Sequence, residues 1–445
     1  MIESVRTRIL EPTARGLADA VSQSIRDGSL ESGSKLPPIR SVAATLSLSP
    51  STVSNAWSQL AKAGLIFTDG ARGTFVAASA APPARYRRAL QYSGKFEIDL
   101  STGLPDAELL PDIQSAFSRF VGSSHSDSYL GDTLLPDLGR ELRKSWARGI
   151  EAITITDGGM DALDLLIASR VRLGDFVAVE DPGYPPLFDL LGAAGARMLS
   201  VEVDNDGLVP ASLEKALKSG ASVVFLQTRA QNPTGAVLTA ARAKQLSDVM
   251  GRYDTLIVEF DFADGISAAP WVSFTQLLPE RTCHIHGYSS SLGPEMRLAA
   301  LGGPSAVIDP IVQRRHLGQG WTSRILQSLL LDLITDESSL TQVENACAEY
   351  AARRSALVAE LAQLGVEVGG SDGINVWIPV ANEAAALLSL ATEGIGVAPG
   401  SPYILNSPVS HHICVTAGLV PVGESRRIAA AISRAAKPSS ASRSA

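Results

Sequence analysis

The sequence predicts a two-part chain, a small helix-rich head followed by a large α/β body on a mostly parallel sheet. Three observations carry this expectation. From Phe96 onward, short apolar runs at 153–156, 176–180, 222–226 and 256–260 recur between helix-like segments, as strand–helix–strand units require. Near Ala77 the composition shifts to Ala-Ala-Ser-Ala-Ala-Pro-Pro-Ala-Arg-Tyr-Arg-Arg, a small-residue, Pro-containing basic stretch that reads as an exposed linker. Charge divides along the same line. Residues 1–78 carry eight Lys+Arg against six Asp+Glu, residues 79–95 add four basic residues and no acid, and the rest carries 26 basic against 40 acidic. Such a distribution points the front end, and not the body, toward a polyanion.

The 445 residues, 45% hydrophobic and 19% charged, allow two or three globular domains and exclude a mostly disordered chain. No run reaches the roughly 20 apolar residues of a membrane-spanning helix. The opening Met-Ile-Glu-Ser-Val-Arg lacks the layout of a secretion signal. Cys283, Cys347 and Cys414 are odd in number and far apart, with no disulfide framework and no metal-ligand spacing. These features set the expectation of a cytoplasmic protein with no metal and no membrane partner.

In the head, residues 14–27 form an amphipathic helix stopped by Gly28, and Pro37-Pro38 open a second helix over 39–46. Ser49 is a good N-cap with Pro50 at the first helical position of a third helix, running to about Ala63. On it Val53, Ala56, Trp57 and Leu60 share one face, and Ser51, Asn55, Ser58 and Lys62 the other. Small polar side chains on an outward face let a helix enter a major groove. Residues 65–68 and 73–76 flank Asp69-Gly70-Ala71-Arg72, a hairpin with Arg72 at its tip. The outline is a winged helix-turn-helix, although a three-helix protein-interaction module fits the same pattern.

The motifs are more specific. The run Asp-Gly-Ser-Leu-Glu-Ser-Gly-Ser-Lys-Leu-Pro-Pro-Ile-Arg-Ser-Val-Ala from Asp27, then Ser51-Thr52-Val53 and Gly73-Thr74-Phe75-Val76, resemble the GntR-type winged helix-turn-helix over its whole length. That resemblance implies that Arg40, Ser51, Thr52, Asn55, Arg72 and Thr74 contact double-stranded DNA. Pro50 stands where the family often has arginine.

In the body, Thr156-Asp157-Gly158-Gly159-Met160-Asp161 follows an apolar strand and opens a helix. Paired glycines at a helix start expose N–H groups at its positive end, suited to a phosphate or to a plain tight turn. Asp261 ends an apolar strand among aromatics, where a carboxylate needs a cation partner or a place in a ligand crevice.

Together these segments resemble the aspartate-aminotransferase fold, fold type I of the pyridoxal-phosphate enzymes, from about Asp99 to Ile432, with a smaller C-terminal α+β subdomain. Asp181-Pro182-Gly183-Tyr184-Pro185 resembles the segment whose aromatic, here Tyr184, stacks on the cofactor ring. Gln231-Asn232-Pro233-Thr234-Gly235 resembles the segment whose Asn bonds the ring hydroxyl. Asp261 falls where an Asp faces the pyridine nitrogen, and Arg297 where an Arg grips the phosphate. Gly159, Met160 and Ser289 complete the implied cofactor-binding set.

The departures are as informative. Ser290 stands where the resemblance places the Schiff-base lysine, and no lysine occurs between Lys244 and Lys437. Phe262 replaces a tyrosine, Gly287 a phosphate-binding serine, and His412 an arginine for the substrate carboxylate. A GntR-type head on such a body is the architecture of MocR-type transcriptional regulators. It implies a homodimer on promoter half-sites, with head (1–78), linker (79–97), effector-binding and dimerisation body (98–436) and disordered tail (437–445). No residue is left for transamination. The retained contacts either hold pyridoxal phosphate non-covalently or only pack, and His412, Ser290 and Phe262 are the places to meet a small-molecule effector. The rival expectation is a pyridoxal-phosphate-dependent transferase with an accessory DNA-binding head.

Overall fold

The computed structural model describes residues 5–9, 11–26, 29–31, 33–62, 65–69, 72–76, 96–120, 132–146, 149–406 and 411–437. The expected tail past Lys437 and all but the last two residues of the expected linker lie outside them, as do Asp27, Gly28, Gly70 and Ala71.

The head contains α1 (Ala14–Arg26), α2 (Ile39–Leu46) and α3 (Pro50–Lys62), followed by the hairpin β1 (Ile66–Asp69) and β2 (Gly73–Val76). Ser49 caps α3 as its side chain predicts: its Oγ accepts the Thr52 N–H at 3.0 Å. Val53, Ala56, Trp57 and Leu60 are all buried, and they pack with Leu17, Val21 and Val42 in one apolar cluster. The strands of the wing are antiparallel, Ile66 facing Val76 and Asp69 facing Gly73.

In chain order the body contributes β3 (Ile98–Leu100), β4 (Ala152–Thr156), α4 (Gly159–Arg170), β5 (Phe176–Asp181), α5 (Pro185–Ala193), β6 (Arg197–Asp204), β7 (Gly207–Leu208) and β8 (Ala221–Leu226). It continues with α6 (Ala240–Met250), β9 (Leu256–Asp261), β10 (Thr282–Gly287) and β11 (Ala299–Gly303). The main sheet runs β4-β11-β10-β9-β8-β5-β6-β7. β11 is antiparallel to both neighbours and β7 to β6; the remaining pairs are parallel. Both faces are covered, which explains the unbroken apolar runs. Val177, Val179, Val223, Phe225, Val258 and Phe260 pack toward α4 and α5. Their alternates Ala178, Val224, Leu226 and Ile257 pack on the α6 side.

The long helix α7 (Glu337–Gln363) leads into β12 (Asn375–Val380), β13 (Ile395–Pro399), β14 (His411–Thr416) and α8 (Ser425–Ala436). These strands form a second sheet, β12-β14-β13-β3, in which β3 returns from the start of the body to pair parallel with β13. Leu357, Leu361, Ile428 and Ile432 cover it with a separate apolar core. No helix among the described residues is long and apolar enough to cross a membrane.

A candidate ligand pocket at the strand ends

Strands β4, β5, β8, β9 and β10 end at the same edge of the main sheet, and the loops after them line a cavity of about 430 Å³. An open parallel sheet places its binding crevice there, because helix N-termini and loop residues converge beyond the carboxyl ends of the strands. Gly158–Met160 come from the end of β4, Tyr184 from β5, Gln227 and Asn232 from β8, Phe262 from β9, and Ser289 and Ser290 from β10. Asp372, Ile374 and Asn375 close the cavity from the smaller sheet, with Tyr403 beside them.

Gly158 and Gly159 are glycines for different reasons. Gly158 has φ of 101°, a conformation that side chains rarely adopt, although a Cβ there would meet nothing closer than 3.9 Å. At Gly159 the limit is space, since a Cβ would lie 2.1 Å from the Phe262 ring. A Cβ at Gly287 would lie 2.9 Å from the same ring. Phe262 thus fills the volume that side chains at 159 and 287 would need, and its ring also meets Tyr184 at a centroid distance of 5.8 Å.

Among the described residues that line the cavity, Arg297 is the single Lys or Arg and Asp372 the single carboxylate. Arg297 is exposed and forms no ion pair among the described residues, so its charge is available to an anion. Asp372 is occupied, accepting from the Ser267 hydroxyl and from the Ala268 N–H at 3.1 Å. Two amide oxygens of the lining, Asn232 Oδ1 and Asn375 Oδ1, are buried without a hydrogen-bond partner among the described residues. Such groups lose free energy unless a donor reaches them, so they point to a bound molecule or water.

Of the residues expected in the site, Gly159, Met160, Tyr184, Asn232, Phe262, Ser289, Ser290 and Arg297 all line the cavity. Asp261 and His412 do not. The Asp261 carboxylate is almost fully buried and accepts from Arg229 Nε at 2.8 Å and Nη2 at 2.7 Å, and from the Ala263 N–H at 2.9 Å. Of the two readings open to it, pairing with an arginine is what the geometry brings together. Arg229 also reaches Asp264 at 3.2 Å, and Asp264 lies 3.2 Å from His286. Burial opposes a charge on either member of that last pair. The imidazolium beside Asp264 and Asp261 is nonetheless held above its usual value, and Asp264 below the usual carboxylate range. His412 stacks on Trp377, with ring centroids 4.7 Å apart and planes 9° from parallel.

No metal-ligand spacing is visible in the sequence, but the fold does bring ligand-type atoms of Asp261, His284 and His286 within 4.8 Å of one another. The Arg229 guanidinium already supplies the positive charge at Asp261. Local pattern also missed Asn375 and Arg229. An Asn opening an apolar strand is a readable anomaly; Arg229 lies 32 residues from the carboxylate it holds and left no local signal.

In the head, Arg40, Ser51, Asn55 and Arg72 are exposed, while Thr52 and Thr74 are half-buried. Arg72 lies 3.2 Å from Asp69 across the wing, Ser49 Oγ lies 2.8 Å from Ser51 Oγ and 2.7 Å from Thr52 Oγ1, and Thr74 Oγ1 lies 3.3 Å from Thr68 Oγ1. Arg40 stands on α2, Ser51, Thr52 and Asn55 on the first turns of α3, and Arg72 and Thr74 on the wing, all in the same module.

Residues 13–76 match the family model described as bacterial regulatory proteins, gntR family, and residues 96–432 match aminotransferase class I and II. The chain is similar to the vitamin B6 salvage pathway transcriptional repressor PtsJ of Salmonella typhimurium, at 33% identity over 95% of this chain and 98% of that one. It is also similar to the transcriptional regulator TauR of Rhodobacter capsulatus, at 28% identity over 90% and 92% of the two chains. Among solved structures, an archaeal alanine:glyoxylate aminotransferase superposes with a TM-score of 0.72 at 21% identity, covering 84% of this chain and 97% of that one.

Proposed function

Since the chain belongs to the class I and II aminotransferase family and carries a gntR-family head, we propose that it is a DNA-binding regulator whose body senses a small molecule instead of transaminating. The reading has the body pair with a second copy, so that two heads address two half-sites. The observation that carries it is the cavity lining, which among the described residues keeps an unpaired cation and a glycine-opened helix start but offers no lysine. Ser290 stands at the position that resembles the family's covalent anchor, and a hydroxyl cannot replace an amine there.

The ligand that fits best is pyridoxal phosphate, held without a covalent bond; the repressor PtsJ is named for vitamin B6 salvage. When bound in an enzyme of this fold, that group supplies an electron sink. In this chain Arg297 and the N–H groups at the start of α4 would take the phosphate, and Tyr184 would cover one ring face. Asn232 would turn its unpartnered amide to the ring hydroxyl. Asp261 does not serve a pyridine nitrogen while Arg229 holds it, so the residues here grip the ring without activating it. The ligand then acts by favouring one arrangement of the protein over another.

The test is a mobility shift on the DNA upstream of its own gene, with and without pyridoxal phosphate. Binding is expected at low salt, with Arg40→Ala and Arg72→Ala each weakening it and lowering the salt slope by about one. No binding at low salt removes the regulator reading. A phosphopyridoxyl group left on any lysine after borohydride reduction removes the non-covalent one.

A further inference from the structure

We propose that the pocket accepts phosphorylated hydroxypyridines of the vitamin B6 class whatever group stands at the 4′ position, so that the alcohol and amine forms are ligands on a par with the aldehyde. The inference rests on the reading of this cavity as a cofactor site and says what that site selects.

The aldehyde is the preferred form where an amine can bond to it. Here none can. Among the described residues no lysine lines the cavity, and Lys244 and Lys437, which bracket its last sequence segments, are both exposed. The usual advantage of the aldehyde is therefore absent, and what remains is the phosphate, the ring face and the polar rim.

The rim favours donors. Asn232 Oδ1 and Asn375 Oδ1 are buried in the cavity wall with no partner among the described residues; the ring hydroxyl that all three forms carry would meet the first, and Asn375 Oδ1 still requires an N–H or O–H. An aldehyde oxygen only accepts, whereas a hydroxymethyl or aminomethyl group donates. With one acceptor still unmet, the site loses more by taking a 4′ group that only accepts than one that donates.

The charge count excludes a larger ligand. Arg297 is the single cation of the lining among the described residues, and the phosphate would occupy it. His412, at the place where the resemblance sets a carboxylate-binding arginine, is stacked on Trp377 and does not line the cavity. An amino acid carboxylate would be desolvated there with no counter-charge, which is unfavourable. The preferred ligand is the free phosphorylated vitamer and not its amino acid conjugate.

The experiment is calorimetric titration of the full chain with pyridoxal, pyridoxine and pyridoxamine 5′-phosphates, with inorganic phosphate and phosphopyridoxyl-alanine for comparison. The three vitamers are expected to saturate with affinities within about tenfold of one another, and the conjugate to bind at least about tenfold more weakly. Arg297→Ala, at an exposed position, is expected to weaken all three alike. Asn375→Ala, with its fold checked by thermal midpoint, is expected to weaken the alcohol and amine more than the aldehyde. Saturable binding of the aldehyde alone overturns this inference and leaves the cofactor site standing. Binding of no vitamer, by a protein that still shifts DNA, overturns the cofactor reading and this inference with it.

Discussion

Glu180 is a carboxyl group placed inside the main sheet, 3% exposed, with the Gln227 N–H at 3.1 Å and Gln231 Nε2 at 3.3 Å as its donors. Burial pushes its carboxyl up from 4.5 to about 8, and the two donors pull back only part of that rise. The folded chain therefore keeps a proton that the unfolded chain gives up. Stability from this group is fully present below pH 4.5 and is lost as pH rises toward about 8. Glu180→Gln replaces the protonated acid by a neutral amide of similar shape. Its thermal midpoint is expected to gain on that of the parent steadily between pH 5 and 8, and parallel curves for the two proteins would show that Glu180 keeps no proton. The consequence reaches the pocket, because Gln227 and Gln231 both line it. Asp261 shows the opposite solution for an acid in the same sheet. Arg229, mostly buried beside it, pairs with it directly at 2.7 Å.

At the scale of elements, the junction of β4 with α4 and that of β10 with the short helix after it are shaped by one ring. Phe262 lies against both Gly159 and Gly287, so the three residues form a unit and cannot be varied singly. Gly159→Ala places a Cβ into the ring and is expected to destabilise by about 1–3 kcal/mol in urea unfolding. In a Phe262→Ala background the same change should be nearly neutral, whereas Gly158→Ala, opposed by its φ of 101° and not by a neighbour, should cost the same in both backgrounds. Equal penalties for Gly159→Ala with and without the ring would refute the coupling. This unit also marks how far sequence reading reached. The strands were legible to within a residue or so, because two covered faces demand unbroken apolar runs; the run 256–260 became β9, Leu256–Asp261. The head was legible through Ser49, Pro50 and the alternation on α3, which are local signals. The cavity members at strand ends were legible through motif resemblance. What escaped were relations between distant segments: Arg229 with Asp261, Phe262 with Gly159 and Gly287, and Asn375 facing across from the second sheet. No local periodicity encodes a contact of that kind.

At the scale of the whole molecule, one helix spans the interval between cavity and head. α4 starts at Gly159 and Met160 in the cavity wall and ends at Arg170, and the turn after it carries the contact with the DNA-binding module. Val171 packs into the body's core, while Leu173, two residues on and 6% exposed, joins the apolar cluster of the head. Arg15 of α1 pairs with Asp175 at 2.5 Å. The ion pair is partly exposed and contributes roughly 0–1 kcal/mol; the buried leucine is worth about 1.5–3 kcal/mol and sets the contact. A helix of twelve residues is about 18 Å of stiff rod, so a ligand that shifted its first turn would be expected to shift the seat of the head. Leu173→Asp removes that seat without touching the cavity or the exposed polar face of α3. The variant is expected to bind ligand in the calorimeter as the parent does and to shift DNA, but its DNA affinity should no longer respond to ligand. Faster proteolytic release of the head should accompany the change. Should the variant keep the parent's ligand response in the mobility shift, the signal does not pass along α4.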